Sequence, residues 1–287
     1  MTIAQALKDR LLFILTNLPP RRTYSRWMKR LSQIRNPTWT RMALWFWQRF
    51  DVLELDDSPP CRYHSIHDCF IRPLKPGARI VDPDAQVWTS PCDGIVGAFG
   101  RIHEGKLYQI KGRGYEIEEL IGHRADIQRW HNGHFVTIRI KSGMYHRFHA
   151  PAQGELLQVQ YFKGDAYNVT PPTLRWIDRL FCKNERVCLT YRVSSTDEVI
   201  AMVPVAAVLV AGIRLHALQD TDWMQHRHVT TPHAATPYAK GQEMGWFEHG
   251  STIVVLTSPL WAPLASLKEG DRLRMGQALF APVDQTI

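Results

Sequence analysis

Three short stretches, far apart in the chain, carry side chains fit for acid–base and nucleophilic chemistry. Ser90-Pro91-Cys92-Asp93-Gly94 offers a carboxylate, Tyr145-His146-Arg147-Phe148-His149-Ala150-Pro151 two imidazoles, and Gly250-Ser251-Thr252 a hydroxyl. One Asp, one His and one Ser from separate loops are the ingredients of a charge relay: the carboxylate orients an imidazole, and the imidazole takes the hydroxyl proton. With two histidines three apart, one can serve as base and the other as proton donor. Each stretch also has a plainer reading. Asp-Gly is a common turn pair. The histidines suit a solvated loop before a proline, and Gly-Ser-Thr suits a turn ahead of the apolar run 253–256. No single motif is specific, and a Gly-x-Ser-x-Gly elbow is absent.

Cys61, His64, His67 and Cys69 are further ligand-type residues. Four ligands within nine residues match no common zinc pattern, in which ligand pairs stand much further apart. The stretch reads more simply as a short helix leading into Phe70-Ile71-Arg72-Pro73-Leu74, and no metal is expected.

The elements that must position these residues are mostly strands. From about residue 80 the texture is of short apolar runs punctuated by Gly. Strands are expected at 94–99, 107–111, 134–141, 155–161, 186–193, 198–203, 205–213, 252–257 and near 272–280. Within 134–141, Val136, Ile138 and Ile140 alternate with Thr137 and Arg139. Only 116–121 and 172–180 look helical in this part. The fold expected is α+β and predominantly β, a compact sandwich or barrel-like body of short strands in one domain, 51–287.

Ahead of that body stands a different segment. Residues 1–50 hold ten of the chain's 35 Lys and Arg and only one of its 27 acids, Asp9, so this segment is +9 and the remainder −1, which gives the net +8. Helices are expected at 3–18, where apolar residues recur at three and four, at 22–35, and at 38–50. Trp39, Trp45 and Trp47 interleave with Arg41 and Arg49 in the last of these. Rings at headgroup level and cations on phosphates suit an amphipathic, membrane-binding arm, 1–50. The alternative is a helical cap on a soluble core. The apolar face is too large for a nucleic-acid partner, and no signature of one is present. No apolar run approaches the ~20 residues of a membrane span. Asp9 and Arg10 interrupt the first apolar stretch, so no secretory signal is expected. Five cysteines without a CxxC pair suggest a reducing compartment.

Taken together and in order, the motifs resemble phosphatidylserine decarboxylase, the pyruvoyl-dependent membrane enzyme, in its bacterial form. The resemblance rests on 70–74, on Asp93-Gly94 after Ser90-Pro91, on 145–151, on Lys163-Gly164-Asp165, on Phe181-Cys182-Lys183-Asn184-Glu185-Arg186-Val187, and on 240–252. It implies that Ser251 attacks the carbonyl of Gly250 and that the chain cleaves itself into a β chain, 1–250, and an α chain, 251–287, which stay associated. Ser251 would become the pyruvoyl cofactor, which forms a Schiff base with phosphatidylserine and releases CO2 and phosphatidylethanolamine. His149 would be the base, Asp93 would hold its tautomer, and His146 would serve decarboxylation as a proton donor or acceptor. The resemblance further implies a homodimer, peripheral on the cytoplasmic face of the bacterial inner membrane and drawn to anionic lipid. One departure stands beside the scissile bond. The family commonly places an apolar residue there, often Leu, and this chain has His249. The competing readings are a serine hydrolase using Asp93, His149 and Ser251, a non-catalytic membrane-surface protein that kept the fold, and a pyruvoyl decarboxylase of a soluble amino acid.

Overall fold

In the computed structural model of the chain, the residues described are 10, 13–14, 21–49, 51–60, 62–108, 114–123, 126–207, 212–218, 230–248 and 251–283; the side chains of 21, 22, 24–26, 230–234 and 251 fall outside that description. The helix expected at 3–18, Cys61, residues 109–111 and 208–211, His249 and Gly250 lie wholly or mainly outside it.

Sixteen strands form the described body. They are β1 (Trp88–Thr89), β2 (Gly94–Arg101), β3 (Lys106–Tyr108), β4 (Gly114–Glu116), β5 (His134–Ile140), β6 (Arg147–His149), β7 (Gly154–Phe162), β8 (Arg186–Val193), β9 (Val199–Ala206), β10 (Ile213–Leu215), β11 (Thr230–Tyr238), β12 (Glu243–Phe247), β13 (Ser251–Thr257), β14 (Trp261–Pro263), β15 (Arg272–Leu273) and β16 (Ala278–Pro282). Eight of them make one sheet in the order β11-β7-β8-β9-β13-β5-β2-β15. Two three-stranded sheets, β10-β12-β6 and β1-β16-β14, and the hairpin β3-β4 complete the set.

The expectation of a mixed, mostly β fold holds, and its barrel variant is corrected. The end strands β11 and β15 do not pair with each other, so the large sheet stays open. Its two faces bury separate clusters, as the period-two alternation of strands requires. Ile138, Ile140, Val187, Leu189, Ala206, Ile253 and Val255 face inward onto Phe148, Met244, Phe247 and Ile213 of the small sheets. Val203, Val205, Val254 and Leu256 face the other way, onto Leu120, Ile121, Leu180 and Phe181. The strands expected at 198–203 and 205–213 divide elsewhere: β9 runs unbroken to Ala206 and β10 begins at Ile213. The helix expected at 172–180 is two short ones, Pro171–Trp176 and Leu180–Lys183, separated where Arg179 takes a left-handed conformation.

Two N-terminal helices lie on this body. α1 is Arg21–Ser32 and α2 is Pro37–Trp47. Asn36 caps α2: its side-chain oxygen accepts from the backbone N–H groups of Thr38 and Trp39, both at 3.0 Å, and Pro37 fills the first turn. α3 (Ile66–Phe70) seats them. Trp47 stacks on Phe70 at 5.3 Å, and Thr40 Oγ1 donates to the His64 carbonyl.

Candidate active site

β13 is the central element of the site. It sits between β9 and β5, and its first residue, Ser251, is opposite Ala206 on one side and Ile140 on the other. Both partners belong to the inward cluster. The two residues of the proposed scissile bond therefore straddle the start of a buried central strand, with Gly250 outside the described residues.

Both loops that reach this strand end are clamped by backbone contacts. Arg72, from the 70–74 motif, is buried and donates to the carbonyls of Gly143 and Met144, each at 2.9 Å. Phe70 lies on the His146 ring, 4.2 Å between centroids. His146 Nε2–H donates to the Ser142 carbonyl at 3.0 Å, two residues beyond Ile140, the partner of Ser251. On the other side Asn184, from the 181–187 motif, donates to the Ala206 carbonyl at 2.8 Å. Gly164 packs so closely on Asn184 that a Cβ there would lie 2.3 Å from its backbone carbon. The recurrent motifs are thus the struts of the strand end that carries Ser251.

His149 ends β6, opposite Glu243 of β12. Its Nδ1 pairs with the Gly241 carbonyl at 2.8 Å, so Nδ1 carries the hydrogen and Nε2 is left as acceptor. Nε2 meets the hydroxyl of Tyr145 at 2.9 Å, which donates to it. Burial lowers the His149 pKa below its ordinary value; the Gly241 carbonyl and the charges of Glu243 and Asp93 oppose the shift. His149 is a neutral base at neutral pH.

Asp93 is buried, but its carboxylate does not touch His149. Arg79 takes it in a two-pronged ion pair, Nε to Oδ1 at 3.0 Å and the second nitrogen to Oδ2. The Met275 N–H supplies another bond to Oδ1, at 2.8 Å. The expectation that Asp93 holds the His149 tautomer is corrected in this structure: the Gly241 carbonyl does so, because the guanidinium fork already occupies both carboxylate oxygens. Asp93 acts on His149 through its charge.

His146 is fully buried, and burial pushes its pKa down to about 3; the carbonyls of Ser142 and Lys141 oppose the shift and Arg72 adds to it. A proton-donor role for His146 at neutral pH is thereby disfavoured, and an acceptor or hydrogen-bonding role remains. Arg79 belongs to the site although no sequence pattern singled it out, and Tyr145 and Gly241 lie within the 145–151 and 240–252 motifs without a role having been assigned to them. Among the described residues no three metal-ligating side chains converge, and Cys69 is core. Near the head of β13 a buried carboxyl oxygen, Glu185 Oε1, has no hydrogen-bond partner, which fits a further polar group formed there.

Comparison with known proteins accords with these motifs. The family model described as phosphatidylserine decarboxylase matches residues 66–281. A phosphatidylserine decarboxylase proenzyme of Brevibacillus brevis is 36% identical over 229 residues, 78% of this chain and 81% of its own. One from Chromobacterium violaceum is 36% identical over 242 residues, 78% of this chain and 82% of its own. One from Shewanella baltica is 34% identical over 285 residues, 94% and 96% of the two chains.

Proposed function

The chain belongs to the phosphatidylserine decarboxylase family, and from that premise we propose that it cleaves itself between Gly250 and Ser251 and converts phosphatidylserine to phosphatidylethanolamine and CO2. The observation that carries this reading is the placement of Ser251 at the head of a buried central strand, with its register partner Ile140 two residues from the carbonyl that holds His146. The relatives' description as proenzymes supports processing.

Ser251 Oγ is the nucleophile and the Gly250 carbonyl carbon its target. Gly250 lacks a Cβ, which lets the backbone bend toward attack at little steric cost. His149 is the base. Its Nε2 already accepts from Tyr145, so the hydroxyl proton reaches it through the Tyr145 oxygen, which gives one proton and takes another. Asp93 and Glu243 favour the imidazolium that forms. The bond from Gly250 to the Ser251 nitrogen breaks in favour of an ester, β-elimination then separates 1–250 from 251–287 and leaves a dehydroalanine, and hydrolysis of that residue by water releases ammonia and leaves a ketone. The pyruvoyl group left on residue 251 supplies an electron sink for departure of the substrate carboxylate. His146, neutral and fixed through Nε2, orients that region by hydrogen bonding and not as an acid.

Residues 1–50 form the membrane-binding part and 51–287 the catalytic part. Trp27, Met42, Trp45 and Phe46 are all more than half exposed, with Arg30, Arg35, Arg41 and Arg49 exposed among them. Each cation near an anionic bilayer contributes about 1 kcal/mol, so this face supports peripheral attachment to the inner surface of a bacterial membrane. No described helix is long and apolar enough to cross one. The two chains stay associated, since β13 pairs on both sides with strands of 1–250, and a homodimer is part of the proposal.

A denaturing gel with intact-mass measurement tests the reading. Wild type gives two chains and Ser251→Ala one, and the small chain reacts with hydroxylamine. Phosphatidylserine vesicles release CO2 only with the cleaved form. An unbroken wild-type chain that hydrolyses esters would favour the serine-hydrolase alternative.

A further inference from the structure

The chain that leads into the bond before Ser251 is held by charge as well as by backbone. Glu248 stands two residues ahead of Gly250, and the three residues from Glu248 to Ser251 span at most about 11 Å. Its side chain is 7% exposed. Lys29 Nζ donates to Oε2 at 2.7 Å and Arg214 Nε to Oε1 at 3.0 Å, so each carboxylate oxygen has its own cation. The Glu248 N–H donates to the Gly212 carbonyl at 2.9 Å, and the N–H of Phe247 before it donates to the His146 carbonyl at 2.9 Å. Gly212 leaves room for the carboxylate, since a Cβ there would lie 2.4 Å from Oε2. Burial by itself would raise the Glu248 pKa; Lys29 and then Arg214 outweigh it, so the carboxylate stays charged.

Lys29 comes from the other end of the chain. It lies in α1, whose Trp27 and Arg30 are exposed while the Lys29 ammonium turns to the body. α1 packs on α3, and α3 ends at Phe70, the residue that lies on the His146 ring. The Lys29–Glu248 pair joins positions 219 apart, so it closes only when nearly the whole chain has folded. Downstream of the scissile bond, Ser251 is fixed by strand pairing on both sides. Attack of Ser251 Oγ on the Gly250 carbon needs the upstream chain fixed as well, because a shift of about 1 Å between reacting atoms can cost about a hundredfold in rate.

We propose that Lys29 is a positioning residue for self-cleavage: through Glu248 it fixes the segment that presents the Gly250 carbonyl to Ser251 Oγ, so the chain cleaves at full rate only with α1 seated on the body. No bond or proton of the reaction passes through either side chain. Arg214 completes the grip from the neighbouring strand β10, whereas Lys29 ties in a helix from the far end of the sequence. This rests on the self-cleavage reading above, and it adds to it what holds the carbonyl side of the bond.

The test uses full-length chain made by cell-free synthesis, with cleavage timed on denaturing gels. Lys29→Met slows cleavage by at least about tenfold, and Lys29→Arg stays within about twofold of wild type. In a Glu248→Gln chain, itself slow, Lys29→Met changes the rate by less than about twofold, because its effect runs through the carboxylate. A Lys29→Met chain that cleaves at the wild-type rate, or a further tenfold loss in the Glu248→Gln chain, overturns the proposal. Hydrogen exchange of uncleavable Ser251→Ala chain gives a second measurement, independent of cleavage. Adding Lys29→Met should speed exchange at least about threefold at the Phe247 and Glu248 amides and leave β8 and β9 unchanged. Unchanged exchange at those two amides overturns the proposal, and so does faster exchange throughout β8 and β9, since the loss is then of the fold as a whole. If wild type is never cleaved, the self-cleavage reading fails instead, and exchange still decides whether Lys29 fixes this segment.

Discussion

His146 should make the fold acid-sensitive by an amount the structure fixes. Its pKa is about 3 in the folded chain, against 6.5 for an ordinary imidazole, because the ring is taken wholly out of water. The folded value is depressed, so this side chain's contribution to stability is present above the unfolded value of 6.5 and is lost as pH falls toward 3. At pH 5 an unfolded His146 is almost fully protonated and the folded one is not, whereas near pH 7 both are mostly neutral. Linkage then gives a loss of about 2 kcal/mol between pH 7 and pH 5 from this residue alone, and about 5 kcal/mol if the fold survives below pH 3. The assay is urea unfolding followed by tryptophan fluorescence in the Ser251→Ala background, so that no cleavage intervenes. His146→Gln keeps a donor for the Ser142 carbonyl but cannot take up a proton there. The variant should lose stability at pH 7 yet fall by about 2 kcal/mol less than its parent on going to pH 5. Equal pH slopes in the two chains would refute the buried, neutral state of His146.

Other perturbations reach the remaining parts of the site. Arg79→Met leaves the Asp93 carboxylate buried without its fork, and should cost roughly 3–5 kcal/mol in denaturant unfolding; adding Asp93→Asn should recover much of that, and no recovery would show that the loss lies elsewhere. Tyr145→Phe takes the donor from His149 Nε2 and should slow cleavage by on the order of tenfold or more on a gel time course, with Glu243 and Asp93 still in place. Lys29→Met takes from the buried Glu248 carboxylate one of its two cationic partners and should cost roughly 1–3 kcal/mol in denaturant unfolding; unchanged stability breaks the link between α1 and the site. Replacing Trp27, Trp45 and Phe46 together by Ser should weaken flotation with phosphatidylserine vesicles while cleavage proceeds, and unchanged flotation would dispose of the proposed lipid face.

Much of the fold was legible in the sequence because long strands on a buried central sheet show their period. β5, β7, β8 and β13 lie within a residue or two of where apolar alternation put them. The small sheet that carries His149 was not legible. β6 is three residues long, too short for a period, and in β12 Gly245 interrupts the pattern because a Cβ there would strike the Arg214 carbonyl at 2.0 Å. Open or closed sheet geometry was also hidden, since it depends on whether β11 and β15 meet. At the site, side chains announced themselves and their holders did not. The Gly241 carbonyl reaches His149 across 92 positions of sequence, and a carbonyl carries no residue signature. Arg79 sits in an irregular Pro-rich segment and resembles a solvated charge.

Protonation was the least legible property, because residue type sets only its starting value. By type alone, histidine switches near neutrality and glutamate is ionised throughout. Burial on the inward face works on both through one cause, the cost of taking a charge out of water, and acts with opposite sign on an acid and a base. It drives His146 down to about 3 and raises Glu185 to about 7. At neutral pH the imidazoles therefore hold lone pairs, and the Glu185 carboxyl lies close to its midpoint. A triad of Asp93, His149 and Ser251 names a base and a nucleophile for breaking the bond before Ser251. The imidazolium that His149 becomes on taking the Oγ proton is then the acid for the leaving nitrogen, so burial has to leave that imidazole neutral before the bond breaks.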